Sequence, residues 1–356
     1  MSEWQTPPAE NRPAPPPVSY TYQAPPPRPR TGRKVVLAIV IVLLVLTLVV
    51  SGLVNFVLLA ALGAQSATRG RLEEVYVSGS GPDKVAIVEV QGLLMEEAGF
   101  FGGGSYNYIS EQLKQAAEDD SVRAVILEVN SPGGGVTASD ILAHKVLELK
   151  DKKTVTVSMK GLAASGGYYI SAPADRIYAY PTTITGSIGV IWTSLNASKL
   201  MDKVGLADET VKSGPLKDFG SPFRPMTPED RAVIEGIIQD AFVRFKDVVA
   251  KGRKDLTLEE VDALATGAVY PAQEAKRLKL IDEIGYLDDA IQGTKSLAGL
   301  SQARVVRYRK RYTLMDILGA RSQAGSPEVR LRLEGAPQAL PPGLYYVWAP
   351  ALSTTP

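Results

Sequence analysis

The stretch that decides the fold is Val122–Met159, VRAVILEVNSPGGGVTASDILAHKVLELKDKKTVTVSM. Its opening, VRAVILEV, is a short apolar run bounded by turn residues, the pattern of a buried strand. Asn130-Ser131-Pro132-Gly133-Gly134-Gly135 breaks that run and predicts a glycine-rich turn. Residues 138–149 then read as a helix and 154–159 as another strand. Strand, turn, helix, strand is a βαβ unit, which implies a parallel sheet.

Working outward, Lys84–Leu94 (KVAIVEVQGLL) predicts a β-branched strand, Ser110–Asp119 a helix, and Arg176–Tyr180 another strand. Ala163-Ala164-Ser165-Gly166-Gly167-Tyr168-Tyr169 forms a second glycine-rich turn after a strand. Beyond Pro222 the pattern turns helical. Thr227-Pro228-Glu229-Asp230 supplies an N-cap with proline at the first helical position, before a helix to about Val249. Thr257-Leu258-Glu259-Glu260 is a capping box. No internal repeat is present.

The first 32 residues hold ten of the 25 prolines and little apolar material, which predicts a disordered or polyproline tail. From Val35 to Thr68 no residue is charged, a length beyond the ~20 residues that cross a hydrocarbon core. Arg28, Arg30, Arg33 and Lys34 precede it, so the positive-inside rule puts the tail in the cytoplasm and the rest outside. A cleaved signal peptide competes, since Ala64-Gln65-Ser66-Ala67 offers small residues, but its apolar region is normally ~7–15 residues. The expected layout is a tail at 1–34, a transmembrane helix at 35–63, a linker at 64–83, a catalytic domain at 84–300, and a C-terminal strand and tail at 301–356.

Composition narrows the chemistry. Lys+Arg number 39 against 38 Asp+Glu, so no basic excess points to nucleic acid. With no cysteine, thiol proteases and thiolate metal sites are excluded. A single histidine, His144, lies mid-helix in Leu142-Ala143-His144-Lys145, where a surface role is ordinary. A hydrolase of this composition needs another base, and lysine is the candidate.

Each glycine-rich turn could present backbone N–H groups to an oxyanion or a phosphate, although neither fits a dinucleotide or P-loop fingerprint. Ser165, between two alanines and two glycines, has an accessible setting for a nucleophile; the ordinary role of such a serine is an N-cap. The loop Val211–Pro222 (VKSGPLKDFGSP) carries two lysines, Lys212 and Lys217. A lysine that acts as a base near neutral pH must be desolvated, its pKa falling several units from ~10.4.

Taken together, Asn130–Gly135, Ala163–Tyr169, Thr185-Gly186-Ser187-Ile188-Gly189-Val190, Lys212–Pro222, Gly267-Ala268-Val269-Tyr270 and Leu280–Gly285 resemble the signal peptide peptidase A family in its short single-module form. These are membrane-anchored Ser/Lys peptidases of the Clp protease and crotonase superfamily. The likeness covers roughly Lys84 to Asp289. It implies a ββα spiral with a parallel sheet, C-terminal helices and one N-terminal transmembrane helix. It also implies Ser165 as nucleophile, Lys217 as general base by the family's Lys-Asp pairing, and Ser187 as the residue positioning the lysine. The N–H groups of Gly134 and Gly166 would form the oxyanion hole. Pro215-Leu216 before Lys217 is a mild departure. No metal or cofactor is implied. The implied substrates are remnant signal peptides at the membrane, and the implied assembly is a homo-oligomer that shares active sites. Apolar positions Val233, Ile234, Ile237, Ile238 and Phe242 on the helix after Thr227 could serve that assembly or the chain's own sheet. Two other classes remain open: an acyl-CoA enzyme of crotonase type, which would belong in the cytoplasm, and a non-catalytic peptide-binding scaffold, which would not need both Ser165 and Lys217.

Overall fold

An uncharged run of this length closes its own backbone hydrogen bonds as a helix, and residues 31–68 form one, α1 (Thr31–Thr68). Within it Val35–Phe56, 22 residues, is long and apolar enough to cross a membrane. At 1.5 Å per residue that segment spans about 33 Å. The computed structural model describes residues 31–68, 72–96, 105–310 and 343–348. The expected proline-rich tail lies almost wholly outside them. Residues 70–356 form a second unit, separate from the first.

That unit is built on one mainly parallel sheet. Its strands are β1 (Glu73–Ser78), β2 (Lys84–Gln91), β3 (Val122–Ser131), β5 (Thr154–Ala164), β6 (Arg176–Ala179), β10 (Glu283–Ile284) and β11 (Arg304–Arg309). Their order is β1-β11-β2-β3-β5-β6-β10, parallel throughout except for β1 on β11. β7 (Ile184–Gly186) pairs parallel with the far end of β5, and β9 (Val269–Pro271) pairs antiparallel with β7. A smaller antiparallel sheet joins β4 (Gly133–Gly135), β12 (Gly343–Val347) and β8 (Ile191–Thr193) in the order β4-β12-β8. This is the expected Clp protease-like architecture. β1 falls inside the stretch expected as linker, and β11 inside the stretch expected as C-terminal.

Helices cover both faces of the sheet, so β3 reads as a near-continuous apolar run and even the polar residues that alternate along β5, Thr156 and Ser158, are buried. Ala86, Val88, Val125, Leu127 and Val129 pack with α2 (Ser105–Glu118) and α3 (Val136–Lys150). The alternate residues Val85, Ile87, Ala124 and Ile126 pack with Ile291 of α9 (Leu287–Leu297) on the other face. The rest of the helical layer is α4 (Gly166–Ser171), α5 (Ser198–Val204), α6 (Pro228–Gly252), α7 (Leu258–Leu264) and α8 (Ala272–Arg277). The predicted capping box forms, with Thr257 and Glu260 exchanging bonds of 3.1 and 2.7 Å, and the predicted N-cap Thr227 also closes one, exchanging bonds of 3.1 and 2.9 Å with Asp230.

Charge inside the sheet is paired. Arg307 on β11 reaches Glu89 on β2 and, at 2.8 Å, Glu128 on β3, which is almost fully buried. Arg253 at the end of α6 pairs with Asp282 at 2.7 Å, and Asp282 also accepts the Ile177 N–H at 2.7 Å. That contact fixes α6 against the entry to β6 and β10.

Two helix glycines test how far packing overrides helix propensity. Gly236 in α6 has no atom within 4 Å of where a Cβ would stand, whereas a Cβ on Gly293 in α9 would lie 1.8 Å from the Tyr178 hydroxyl. Gly236→Ala is therefore expected to raise stability by about 0.5–1 kcal/mol. Gly293→Ala should lower it by about 1–3 kcal/mol. Denaturation of the detergent-solubilised chain should give opposite signs for the two variants.

Candidate active site

β3 and β5 run parallel, and a register shift after Val129 and Met159 sets Ser131 opposite Ala163 at their C-terminal ends. Both strands therefore deliver the chain to the same edge of the sheet. From β3 it passes through Pro132 into Gly133-Gly134-Gly135. This stretch was expected as a turn but is strand β4. Glycine is a weak strand former, so its neighbours impose the conformation. Leu94 takes one edge, with Leu94 N–H donating to Gly133 O and Gly135 N–H to Leu94 O, both at 2.9 Å. β12 takes the other edge, pairing Tyr345 with Gly135, Tyr346 with Gly134 and Val347 with Gly133.

From β5 the chain enters α4 through Ser165, whose φ of 52° and ψ of −115° lie outside the ordinary L-residue regions. Such geometry costs of order 1–3 kcal/mol and persists only where the surroundings over-determine it. Here the Ser165 N–H is held by Gly186 O at 2.8 Å, and its own carbonyl accepts from Tyr169 N–H at 2.8 Å. The Ser165 side chain makes no capping hydrogen bond, so the ordinary N-cap role does not apply. Ser187 is the residue beside it: β7 pairs Gly186 with Ala164, one position earlier in each strand. Ser187 also has a positive φ, 53°, and its N–H donates to Ala268 O at 2.7 Å. Two adjacent strands thus end in two inward-held serines with left-handed backbones.

The two glycine segments meet because neither carries a Cβ. A Cβ on Gly133, whose φ is +97°, would lie 2.0 Å from Tyr346 O and 2.5 Å from Gly166 N. One on Gly166 would lie 3.0 Å from the same carbonyl and 2.5 Å from the buried Ser139 hydroxyl. The Tyr346 carbonyl therefore sits in a notch between Gly133-Gly134 and Gly166. Trp348 N–H donates to Pro132 O at 2.9 Å. Antiparallel pairs alternate, so the Gly134 N–H faces Tyr346 O two residues further along. The oxyanion candidates Gly134 and Gly166 thus flank one peptide carbonyl, next to Ser165.

Lys217 is elsewhere in the chain's bonding pattern. Its side chain is exposed, and no hydrogen bond or ion pair links it to Ser165 or to any other described side chain. Lys212 is bound at 2.7 Å to Asp218, which Arg224 also grips at 2.9 Å before reaching on to Asp230. The Arg224 guanidinium, and after it the Lys212 ammonium, hold the Asp218 carboxyl well below the usual carboxylate range. Of the two lysines, one is therefore committed to an ion pair and the other is uncommitted. The loop leans on β8, where Phe219 lies 6.3 Å from the Trp192 ring. His144 stands on the exposed face of α3, 3.5 Å from Glu148, and takes no part in the notch.

The notch contains residues that the sequence reading did not single out: Leu94, Ser139 and Tyr346. Only Tyr346 left a signal, as Leu344-Tyr345-Tyr346-Val347 is a run of strand formers directly after Pro341-Pro342-Gly343. Among the described residues, no group of acidic or histidine side chains could hold a metal ion.

The sequence matches the model of peptidase family S49 over residues 148–301 and that of Clp protease over residues 98–185. It is 40% identical over 252 residues to an Enterococcus faecium protein named as a signal peptide peptidase SppA, covering 69% of this chain and 72% of that one. It is 35% identical over 259 residues to Protease 4 of Salmonella typhi, covering 72% of this chain and 41% of that one. It is 31% identical over 254 residues to the chloroplastic serine protease SPPA of Arabidopsis thaliana, covering 70% of this chain and 36% of that one. The chain thus spans well under half the length of the last two relatives. A Clp protease-like sheet, a peptide carbonyl seated in a glycine notch beside a strained serine, and these likenesses agree: the chain belongs to peptidase family S49, the signal peptide peptidase A peptidases.

Proposed function

We propose that the chain is a membrane-anchored serine endopeptidase that hydrolyses remnant signal peptides and other membrane-associated peptides with a Ser165/Lys217 dyad. The observation that carries this reading is the Tyr346 carbonyl, which lies in the notch as a scissile carbonyl would. Neutral Lys217 takes the Ser165 hydroxyl proton as Oγ bonds to the carbonyl carbon. The N–H groups of Gly134 and Gly166 hold the oxyanion, each donor worth about 2.7–4 kcal/mol. Collapse breaks the C–N bond, the Lys217 ammonium protonates the leaving amine, and water hydrolyses the acyl-enzyme. Ser187 orients the lysine amine. The acyl-CoA alternative loses ground because the groove beside the notch accepts an extended peptide backbone on both edges.

The base is supplied within a homo-oligomer. Lys217 is exposed and unbonded, and the surrounding segment displays apolar side chains with no cover: Leu195, Leu200, Val204, Leu206, Val211 and Phe223 are 73, 63, 59, 61, 98 and 50% exposed. Contiguous exposed apolar surface marks an association site. Of the α6 positions, Ile234 is buried in the chain itself, while Ile237 and the neighbouring Val243 are exposed. The anchor α1 holds the catalytic unit on the extracytoplasmic side, with the basic residues before it in the cytoplasm. In layout, residues 1–30 form the tail and the catalytic domain takes in β1 from Glu73 onward.

A serine-reactive fluorophosphonate should label Ser165 in the wild type. Ser165→Ala and Lys217→Ala should each lower peptidase activity by at least about a thousandfold in folded protein. Lys212→Ala and His144→Ala should keep the chemistry. Mixed oligomers of Ser165→Ala and Lys217→Ala chains should regain part of the activity. A folded His144→Ala enzyme without activity would overturn the dyad, and full activity in a demonstrated monomer would overturn the shared site.

Because only the neutral amine accepts the proton, kcat/KM should rise with pH through the lysine titration. A profile flat from mildly acid to alkaline conditions would exclude Lys217 as the base. For orientation, protease added outside intact cells, with any outer barrier opened, should digest residues beyond 70 and spare the first 30. The reverse pattern would invert the topology.

A further inference from the structure

We propose that Arg224 is the positioning residue of the general base: its guanidinium grips Asp218 and Asp230 at once, which ties the Lys217 loop to the first turn of α6 and balances the carboxylate next to the lysine. This rests on the Ser165/Lys217 reading above and adds the residue that makes the lysine usable as a base.

Residues 205–227, all described, lie between α5 and α6 and form loop and turns. Around the lysine the turns are loose: Lys217 N–H donates to Gly214 O and Phe219 N–H to Leu216 O, both at 3.2 Å. The place of Lys217 is therefore set by what grips its neighbours. Asp218 is the next residue. Arg224 Nε donates to Asp218 Oδ2 and Nη2 to Asp218 Oδ1, both at 2.9 Å, a two-point fork. Nη2 also donates to the Asp218 main-chain carbonyl at 3.2 Å, so backbone and side chain are both held. The far side of the guanidinium meets Asp230, Nη2 donating to Oδ1 at 3.0 Å and Nη1 to Oδ2. Nη1 donates as well to Pro225 O at 3.1 Å, so every guanidinium nitrogen is engaged. Asp230 is almost fully buried and accepts the Thr227 N–H at 2.9 Å in the α6 capping box. Phe245 and Val249 fix α6 in the main core. Rigidity thus passes from the core through α6, Asp230 and Arg224 to the residue beside the base. A planar fork can transmit it, whereas an ammonium is a point charge on a flexible stem.

The same contact sets the charge around the lysine. The charged groups facing this loop are Lys212 and Asp218 on it, Arg224 after it, Asp230 on α6, and Asp202 of α5 and Asp208, which line the hollow beside it. β8 contributes only the neutral Trp192 ring, against Phe219. Carboxylates therefore outnumber cations, and without Arg224 only Lys212 would stand against them. Surplus negative charge favours the ammonium of a nearby lysine, the form that cannot accept a proton. Arg224 keeps that surplus small.

The test compares full chains in detergent on one internally quenched peptide across pH, with kcat counted per Ser165 labelled by a fluorophosphonate at completion. Arg224→Lys keeps the charge and loses the fork. Its kcat should fall about tenfold or more, with KM within about twofold and the midpoint of the pH profile within about 0.2 unit of the wild type. Arg224→Gln loses both, so kcat should fall about ten- to hundredfold and the midpoint should rise by about half a unit to one unit. Arg224→Gln combined with Asp218→Asn removes a carboxylate as well, so the midpoint should return while kcat stays low. Lost packing or assembly alone would lower the number of labelled sites and leave the midpoint in place. Arg224→Lys at wild-type kcat would overturn the proposal, as would an unmoved midpoint in folded Arg224→Gln. Should Arg224→Gln fail to fold, the kcat of Arg224→Lys decides. Wild-type activity in Lys217→Ala would overturn the dyad and this proposal with it. An inactive Lys217→Ala beside a fully active Arg224→Gln would overturn the positioning role alone.

Discussion

Everything at the site hangs on the parallel ladder between β3 and β5. It sets Ser131 level with Ala163, so two crossings of the sheet end at one height. One crossing continues into the triple glycine, the other into Ser165. A slip of one residue would turn every side chain of β5 to the opposite face and carry Ser165 away from the notch. The ladder holds because both faces of these strands are buried, with alternate residues committed to different helices. The core therefore fixes the relative position of Ser165 and the glycine segment 133–135.

The reacting groups are held with unequal stiffness. Ser165 and Ser187 sit at the ends of adjacent strands and inherit the rigidity of the sheet. Lys217 sits on a loop secured by ions rather than by core: Asp218 is clamped between Lys212 and Arg224, and Arg224 reaches Asp230 at the cap of α6. Preorganised donors lower a barrier without reorganising during the reaction, and the Lys217 loop draws no such stiffness from the sheet.

Local signals in the sequence foretold most of the scaffold. VRAVILEV reads as a buried strand because burial on both faces removes polar alternation, TVTVSM reads as a strand by its alternation, and Thr227 and Thr257 read as caps because a cap signal is complete within four residues. What depended on distant partners was not legible. Gly133–Gly135 reads as a turn, and becomes a strand only because residues some 210 positions away lie against it. The left-handed backbones of Ser165 and Ser187 leave no compositional mark, since hydrogen bonds from their N–H groups to the Gly186 and Ala268 carbonyls enforce them. Lys212 and Lys217 have the same chemistry on the same loop, and only the fold shows which one is spent on Asp218.

The glycine notch has a consequence for how this enzyme can change over time. At Gly133, Gly134, Gly166 and Gly167, a single added carbon would fall within 2.7 Å of a neighbouring atom, backbone at three of the four. Each of the other nineteen residues brings that carbon, so all four positions are closed to variation at once. The rings of Tyr169 and Phe245 that pack on Tyr346 carry no such restriction, because they are side chains on α4 and α6. Divergence in this lineage is therefore channelled: the packing around β12 can drift by ordinary point mutation, while the glycine notch is locked.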